Sequence, residues 1–288
     1  MSRVDPLIGY LKQLAQRGET HVRLNEEART VLRAYYRAGK ARPKQPIRTS
    51  GVACLSADAT AVVREEPAPS PTIHTVQAQG TTPAEQLDSL QSQAQNWAPA
   101  RSLGSLRETM VFAVGNPAAD LMLVGEAPGY EEERRREPFV GRAGQKLDQI
   151  LMAMGFQRSD IYISNICKFR PALKNQTTNN RKPTRQEMDA CLPFVRAEIA
   201  IVKPKCIVAL GATAAEGLLE RQDPVGRMRG SWHEFEGIPV RVTYHPSYLL
   251  HNEAAVGEKM KVWDDMLTVM DFLEMPISVK QRGFFSGK

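Results

Sequence analysis

Leu121 to Leu147 reads LMLVGEAPGYEEERRREPFVGRAGQKL, and this stretch decides the fold. Leu121-Met122-Leu123-Val124 is an uninterrupted apolar run. It has the length and texture of a strand buried on both faces of a parallel sheet. The strand stops at Gly125-Glu126-Ala127-Pro128-Gly129. The two glycines allow backbone angles that other residues avoid, and the proline removes a donor, so no regular element runs through. A strand ending this way presents backbone N–H groups and the Glu126 carboxylate at the carboxyl edge of the sheet, where open α/β sheets bind ligands. Glu131-Glu132-Glu133 and Pro138-Phe139-Val140-Gly141-Arg142-Ala143-Gly144 follow. Leu147, Ile150, Leu151 and Met154 then share one helical face.

Downstream, strands and helices alternate. Asp160–Ser164, Cys206–Leu210 and Val240–Tyr244 read as strands, and Met110–Val114 as an earlier one closed by a Gly115-Asn116-Pro117 turn. Ala143–Met154, Thr184–Ile201, Ala212–Arg221 and Ala254–Leu273 read as helices. Thr184 with Glu187 three residues on is a capping box. This alternation predicts a three-layer α/β/α domain on a central, mostly parallel sheet of four or five strands. Upstream, residues 1–40 carry two helical patterns, with Leu7, Ile8, Leu11 and Leu14 on one face and Ala28, Val31, Leu32 and Tyr35 on another. They read as a peripheral helical hairpin or a docking module for a protein partner. Residues 41–98 are proline-punctuated and polar, the composition of a flexible linker. The expected organisation is a helical extension (1–40), a linker (41–98), a catalytic domain (99–275) and a C-terminal tail (276–288).

At 288 residues with 42% hydrophobic content, the chain can bury a full core. A net charge of +6 and a pI near 9.2 suit a polyanionic partner without requiring one. No run of about 18 apolar residues suggests a membrane span, and Met1–Lys12 lacks a secretory apolar core. The expectation is a cytoplasmic, nucleoid-associated monomer in a reducing setting. There Cys54, Cys167, Cys191 and Cys206 are free thiols or metal ligands rather than disulfides.

Four strands end in polar or glycine-containing turns: at Gly125-Glu126, at Asn165, at Gly211-Ala212-Thr213 and at His245-Pro246-Ser247. In a parallel sheet those ends lie on one edge, so a carboxylate, an amide and an imidazole converge on one crevice.

GEAPG, the acidic segment, PFVGRAG, NICKFRP and HPSYLL, in that order, resemble the motifs of the family 4 uracil-DNA glycosylases. The resemblance spans roughly Val111 to Leu273. It implies an N-glycosyl hydrolase of base excision repair that flips uracil out of DNA, hydrolyses its bond to deoxyribose and leaves an abasic site. The matching positions imply Glu126, Glu132 and His245 as catalytic residues, and Gly125, Ala127, Phe139 and Asn165 as the substrate pocket. The chemistry agrees. An amide can read the O4 acceptor and N3–H donor of uracil, and cytosine presents the opposite pattern, so a mispaired buried group costs about 1–3 kcal/mol. Phe139 can stack on the ring. His245 can donate to O2 of the departing anion, and the acids can hold water beside an oxocarbenium-like sugar. Gly141, Arg142, Lys168 and Ser247 are the implied DNA contacts, with Arg170 as a further phosphate contact and Leu249 or Leu250 as the apolar wedge. No lysine is placed for a Schiff base, which makes the enzyme monofunctional.

The resembled family holds a [4Fe–4S] cluster on four cysteines. Only Cys191 and Cys206 correspond to its second pair. Ala98 and Arg101 stand where the first pair belongs, and Cys167 is offset from the family's KCRPP cysteine. Two thiolates do not complete a Cys₄ set, so no cofactor is expected. Two other readings stay open: a DNA-binding relative without catalysis, and a glycosylase for another deaminated base such as hypoxanthine.

Overall fold

A computed structural model describes residues 76–251 and 256–285. The two N-terminal helical patterns, Cys54 and the first part of the expected linker lie outside the described residues.

The last part of the span expected as a linker is helical. Pro83–Gln95 is a helix (α1). Thr82 caps it, Glu85 closes a capping box and Pro83 sits in its first turn. Leu87, Leu90 and Ala94 bury against the main core. A polar helix this short is marginal by itself, and that apolar stripe is what holds it. The four-residue helix Ala98–Arg101 (α2) follows.

The strand expected over Met110–Val114 is divided. Leu106–Met110 (β1) pairs antiparallel with Phe169–Pro171 (β5) in a separate two-stranded sheet. Val114–Gly115 (β2) begins the main sheet. The main sheet also contains Leu121–Gly125 (β3), Tyr162–Asn165 (β4), Cys206–Leu210 (β6), Trp232–Phe235 (β7) and Ile238–Thr243 (β8). It has six strands, in the order β2-β4-β3-β6-β8-β7, where four or five were expected. The inner four are parallel, and both extra strands are antiparallel edges. The β7–β8 hairpin turns at Glu236 and Gly237, both at positive φ, the two-residue connection that matches strand twist.

The other helices are Tyr130–Arg135 (α3), Arg142–Met154 (α4), Arg185–Val202 (α5), Ala212–Leu219 (α6), Val225–Met228 (α7), Tyr248–His251 (α8), Val256–Phe272 (α9) and Val279–Arg282 (α10). Alternation along the strands divides the core into two layers. Met122 and Val124 of β3, with Ile207 and Ala209 of β6, face α1, α5 and α6. Leu121, Leu123, Val208 and Leu210 face α4 and α9. Thr184 and Glu187 form the expected capping box of α5. The tail docks through α10: Gln281 accepts from the Trp263 indole at 2.8 Å and donates to the Ala153 carbonyl at 2.9 Å.

Candidate active site

Register places the site. Gly125 lies opposite Asn165 across β3–β4, Val124 opposite Ala209 across β3–β6, and Leu210 opposite Thr243 across β6–β8. The residues just beyond, Glu126, Gly211 and His245, therefore reach one rim. They enclose a crevice of about 340 Å³ that is also lined by Phe139 and Asn165. The carboxylate, amide and imidazole expected to converge do so.

Asn165 is buried, and among the described residues nothing hydrogen-bonds its amide. Gly125 makes room for it: a Cβ there would meet Asn165 Oδ1 at 2.3 Å and the Phe139 ring at 2.4 Å. Phe139 is held at φ 56, a backbone region costly for an aromatic residue and often found at functional sites. Arg158 clamps that turn, donating to the carbonyls of Pro138 at 2.7 Å and Phe139 at 3.1 Å. The Phe139 ring lies 5.7 Å from that of His245.

His245 has its tautomer set. The Ser247 backbone N–H donates to Nδ1 at 3.2 Å. A backbone N–H can only donate, so Nδ1 is the unprotonated nitrogen and Nε2 carries the hydrogen. The Ser247 hydroxyl also lies on Nδ1 at 2.7 Å. Burial lowers the imidazole to about 4, which leaves it neutral and able to donate from Nε2 at ordinary pH.

Glu126 takes a hydrogen bond from Thr213 on Oε2. Burial raises its carboxyl above the ordinary value, against that bond and the charge of Lys182. Glu132 also lines the crevice, but its carboxylate is committed to backbone. Oε1 accepts from Val140 N at 3.0 Å and Gly141 N at 2.8 Å, and Oε2 from Gly129 N at 3.2 Å. It staples the GEAPG turn to the PFVG turn, so it shapes the crevice more directly than it can exchange protons.

Several expected DNA contacts are displaced. Lys168 is fully buried, 2.6 Å from Glu198 and 2.6 Å from the Ser164 hydroxyl, and cannot reach a phosphate. Arg170 is buried too. It pairs with Glu133 at 2.9 Å, donates from Nε to Asn180 Oδ1, and donates to the carbonyls of Thr177 and Asn179. It anchors the 172–182 loop, whose Asn180 and Arg181 form one wall of the crevice. Leu249 is 3% exposed and packs in the α4–α9 layer, so it is no wedge. Its neighbour Tyr248 is 42% exposed, stacked on Tyr244 at 5.0 Å. Arg142 is exposed at the start of α4, after Gly141. Sequence reasoning assigned no role to Arg158 or Asn180, and placed the Thr213 turn on the rim without a task for its hydroxyl. Arg158 gave no signal, because it acts across 19 residues on two carbonyls.

Among the described residues the cysteines do not form the ligand set of a [4Fe–4S] cluster. Cys191 packs in the α1–α5 layer and Cys206 in the opposite one, so these two do not face a common centre. Cys191 instead lies beside Cys167, and that interaction, with burial, raises the Cys167 thiol. Nearby, the Arg101 guanidinium lies 4.6 Å over the Phe169 ring. Trp97 bonds the Ala190 carbonyl at 2.7 Å and meets Phe194 edge-on at 5.0 Å. Among the described residues no group of three His, Cys, Asp or Glu is placed to hold a metal.

Residues 112–267 match the family model described as the uracil DNA glycosylase superfamily. The chain is 38% identical over 167 residues to a type-4 uracil-DNA glycosylase of Pyrobaculum aerophilum, covering 55% of this chain and 82% of that protein. It is 41% identical over 150 residues to one from Thermotoga maritima, covering 51% and 75%. It is 36% identical over 157 residues to one from Archaeoglobus fulgidus, covering 52% and 76%.

Proposed function

The chain belongs to the uracil DNA glycosylase superfamily, and from that premise we propose that it hydrolyses the N-glycosidic bond of uracil in DNA, leaving an abasic site. The observation that carries this reading is the meeting of Glu126, Asn165 and His245 on one crevice beside Phe139.

The flipped uracil enters with its ring against Phe139 and its O4 and N3–H on the Asn165 amide. Gly125 and Ala127 give it backbone room. Water held by Glu126 adds its oxygen to C1′ and passes a proton to the carboxylate. The C1′–N1 pair leaves with the base, and the uracil anion is stabilised at O2 by His245 Nε2–H until it takes up a proton. A neutral donor suits this task, and the Ser247 N–H on Nδ1 keeps it in that form. Glu132 keeps the two turns in register. No lysine is needed, so the enzyme is monofunctional.

On the DNA side, Gly141 and Arg142 directly precede Ala143 of the crevice lining and suit the backbone, while Leu250, joined by Tyr248, stays a candidate for the base stack. The corner built on Trp97, Arg101 and Phe169 supports a chain that works without an iron–sulfur cluster. No described helix is long and apolar enough to cross a membrane. A DNA substrate suits a cytoplasmic, nucleoid-associated monomer, and the N-terminal patterns suit a protein partner.

Excision from a uracil-containing oligonucleotide, read as strand cleavage after alkali, tests the activity. Cleavage is expected with uracil and not with hypoxanthine in its place. Binding without cleavage by folded protein in excess supports a DNA-binding relative and ends this reading. Iron analysis tests the cofactor: a brown, iron-containing preparation overturns the cluster-free assignment.

A further inference from the structure

Thr213 is the one polar side chain on the crevice that donates to Glu126 and has no part in the chemistry above. It is 4% exposed, in the first turn of α6. A helical threonine hydroxyl usually bonds back to a carbonyl three or four residues earlier. This one is turned forward instead. Because β3 and β6 run in parallel register, Glu126 and the start of α6 leave the sheet side by side. Gly211 at φ 92 makes the strand-to-helix turn, with room for His245 behind it: a Cβ at Gly211 would stand 3.0 Å from His245 Cβ.

We propose that Thr213 is a positioning residue for the reaction: it ties down one oxygen of Glu126, leaves the other for water, and keeps the group an ionised carboxylate able to take the water's proton. The proposal rests on the glycosylase reading. Its physical basis is that an O–H donor stabilises the carboxylate more than the neutral acid, in a place where burial favours the neutral one. Of the surrounding charges Lys182 adds to this, but less than Thr213 does. Lys182 is half exposed and paired with Glu216 at 2.6 Å. Arg181 is paired with Glu187 at 2.6 Å. Glu132 is held by backbone N–H groups and His245 is neutral. Cys167 lies behind the turn, its N–H on the Glu126 carbonyl at 3.0 Å, with its thiol protonated.

Thr213→Val keeps the shape and removes the hydroxyl, and Thr213→Ser keeps the hydroxyl. Single-turnover excision from a single-stranded uracil oligonucleotide is followed from about pH 5 to about pH 9. In parallel, the Glu126 carboxyl carbon is titrated by NMR in glutamate-labelled full-length protein. The expected result is a Thr213→Val rate about tenfold down near pH 6, a gap that narrows at higher pH, and an upward-shifted carboxyl titration. Thr213→Ser restores both. Wild-type titration and pH profile in Thr213→Val overturn the proposal, as does an equal loss at every pH that serine does not rescue. If the valine variant does not fold, Thr213→Ala against Thr213→Ser makes the same comparison. A wild-type chain that excises no uracil ends the glycosylase reading, and the NMR titration still decides whether Thr213 controls Glu126.

Discussion

The strand-end rim and the corner under α2 are built on opposite rules. On the rim, polar atoms are left over: the Asn165 amide, His245 Nε2 and one oxygen of Glu126 have no partner among the described residues. In the corner every group is used. The Trp97 indole has its carbonyl, Arg101 covers Phe169, and Cys191 has Cys167. Polar atoms left without protein partners along an open crevice are available to bind, so a site that keeps three of them is organised for something that arrives. A corner that keeps none is organised for cohesion. The lesson is that activity and stability are carried by separate residues in one small domain.

The largest test of that separation is on the rim. Glu126→Gln should slow excision by about 10²- to 10⁴-fold, and His245→Ala by about 10²- to 10³-fold, with thermal melts close to wild type. A melt that collapses along with activity would break the contrast. The corner should answer the other way. Phe169→Ala should cost about 3–5 kcal/mol in a denaturant melt, with the excision rate per folded molecule unchanged. Leu90→Ala, which empties the contact of α1 with the core, should cost about 2–5 kcal/mol and likewise spare the rate.

Acid sharpens the contrast within the rim itself. His245 has its folded value lowered from 6.5 to about 4, so between those limits the unfolded chain binds the proton that the folded chain refuses. That contribution to stability is intact above about pH 6.5 and is lost as pH falls towards about 4. Activity should fail in the same direction, as Glu126, whose carboxyl is raised, takes up a proton. Melting temperature and excision rate against pH check both. The smallest effect is Thr82→Ala, the cap of α1, at about 1 kcal/mol by melt with the rate unaltered.

Much of the rim could be read from the chain. A four-residue apolar run stopped by GEAPG has few structural options, and strand ends of a parallel sheet share an edge by topology. What resisted reading was any residue acting at a distance. Lys168 and Arg170 read as surface cations because their partners, Glu198 and Glu133, lie 30 and 37 residues away. Leu249 read as exposed because a one-turn helix gives no periodicity to show which way it faces. The helix α1 was legible in the letters TPAE, with Leu87 and Leu90 behind them, yet its polar composition argued for a linker. Its stability comes from α5, which the local sequence does not contain.

The sequence by itself determined the alternating fold, the edge on which the chemistry gathers and the residue types brought there, because these follow from local periodicity and strand direction. Only the tertiary structure decided which atoms stay unpaired: that Glu132 is consumed by three backbone N–H groups, that Asn165 is free and that Thr213 reaches Glu126. Pairing is a property of neighbours in space, and burial makes each such choice matter to both charge and stability.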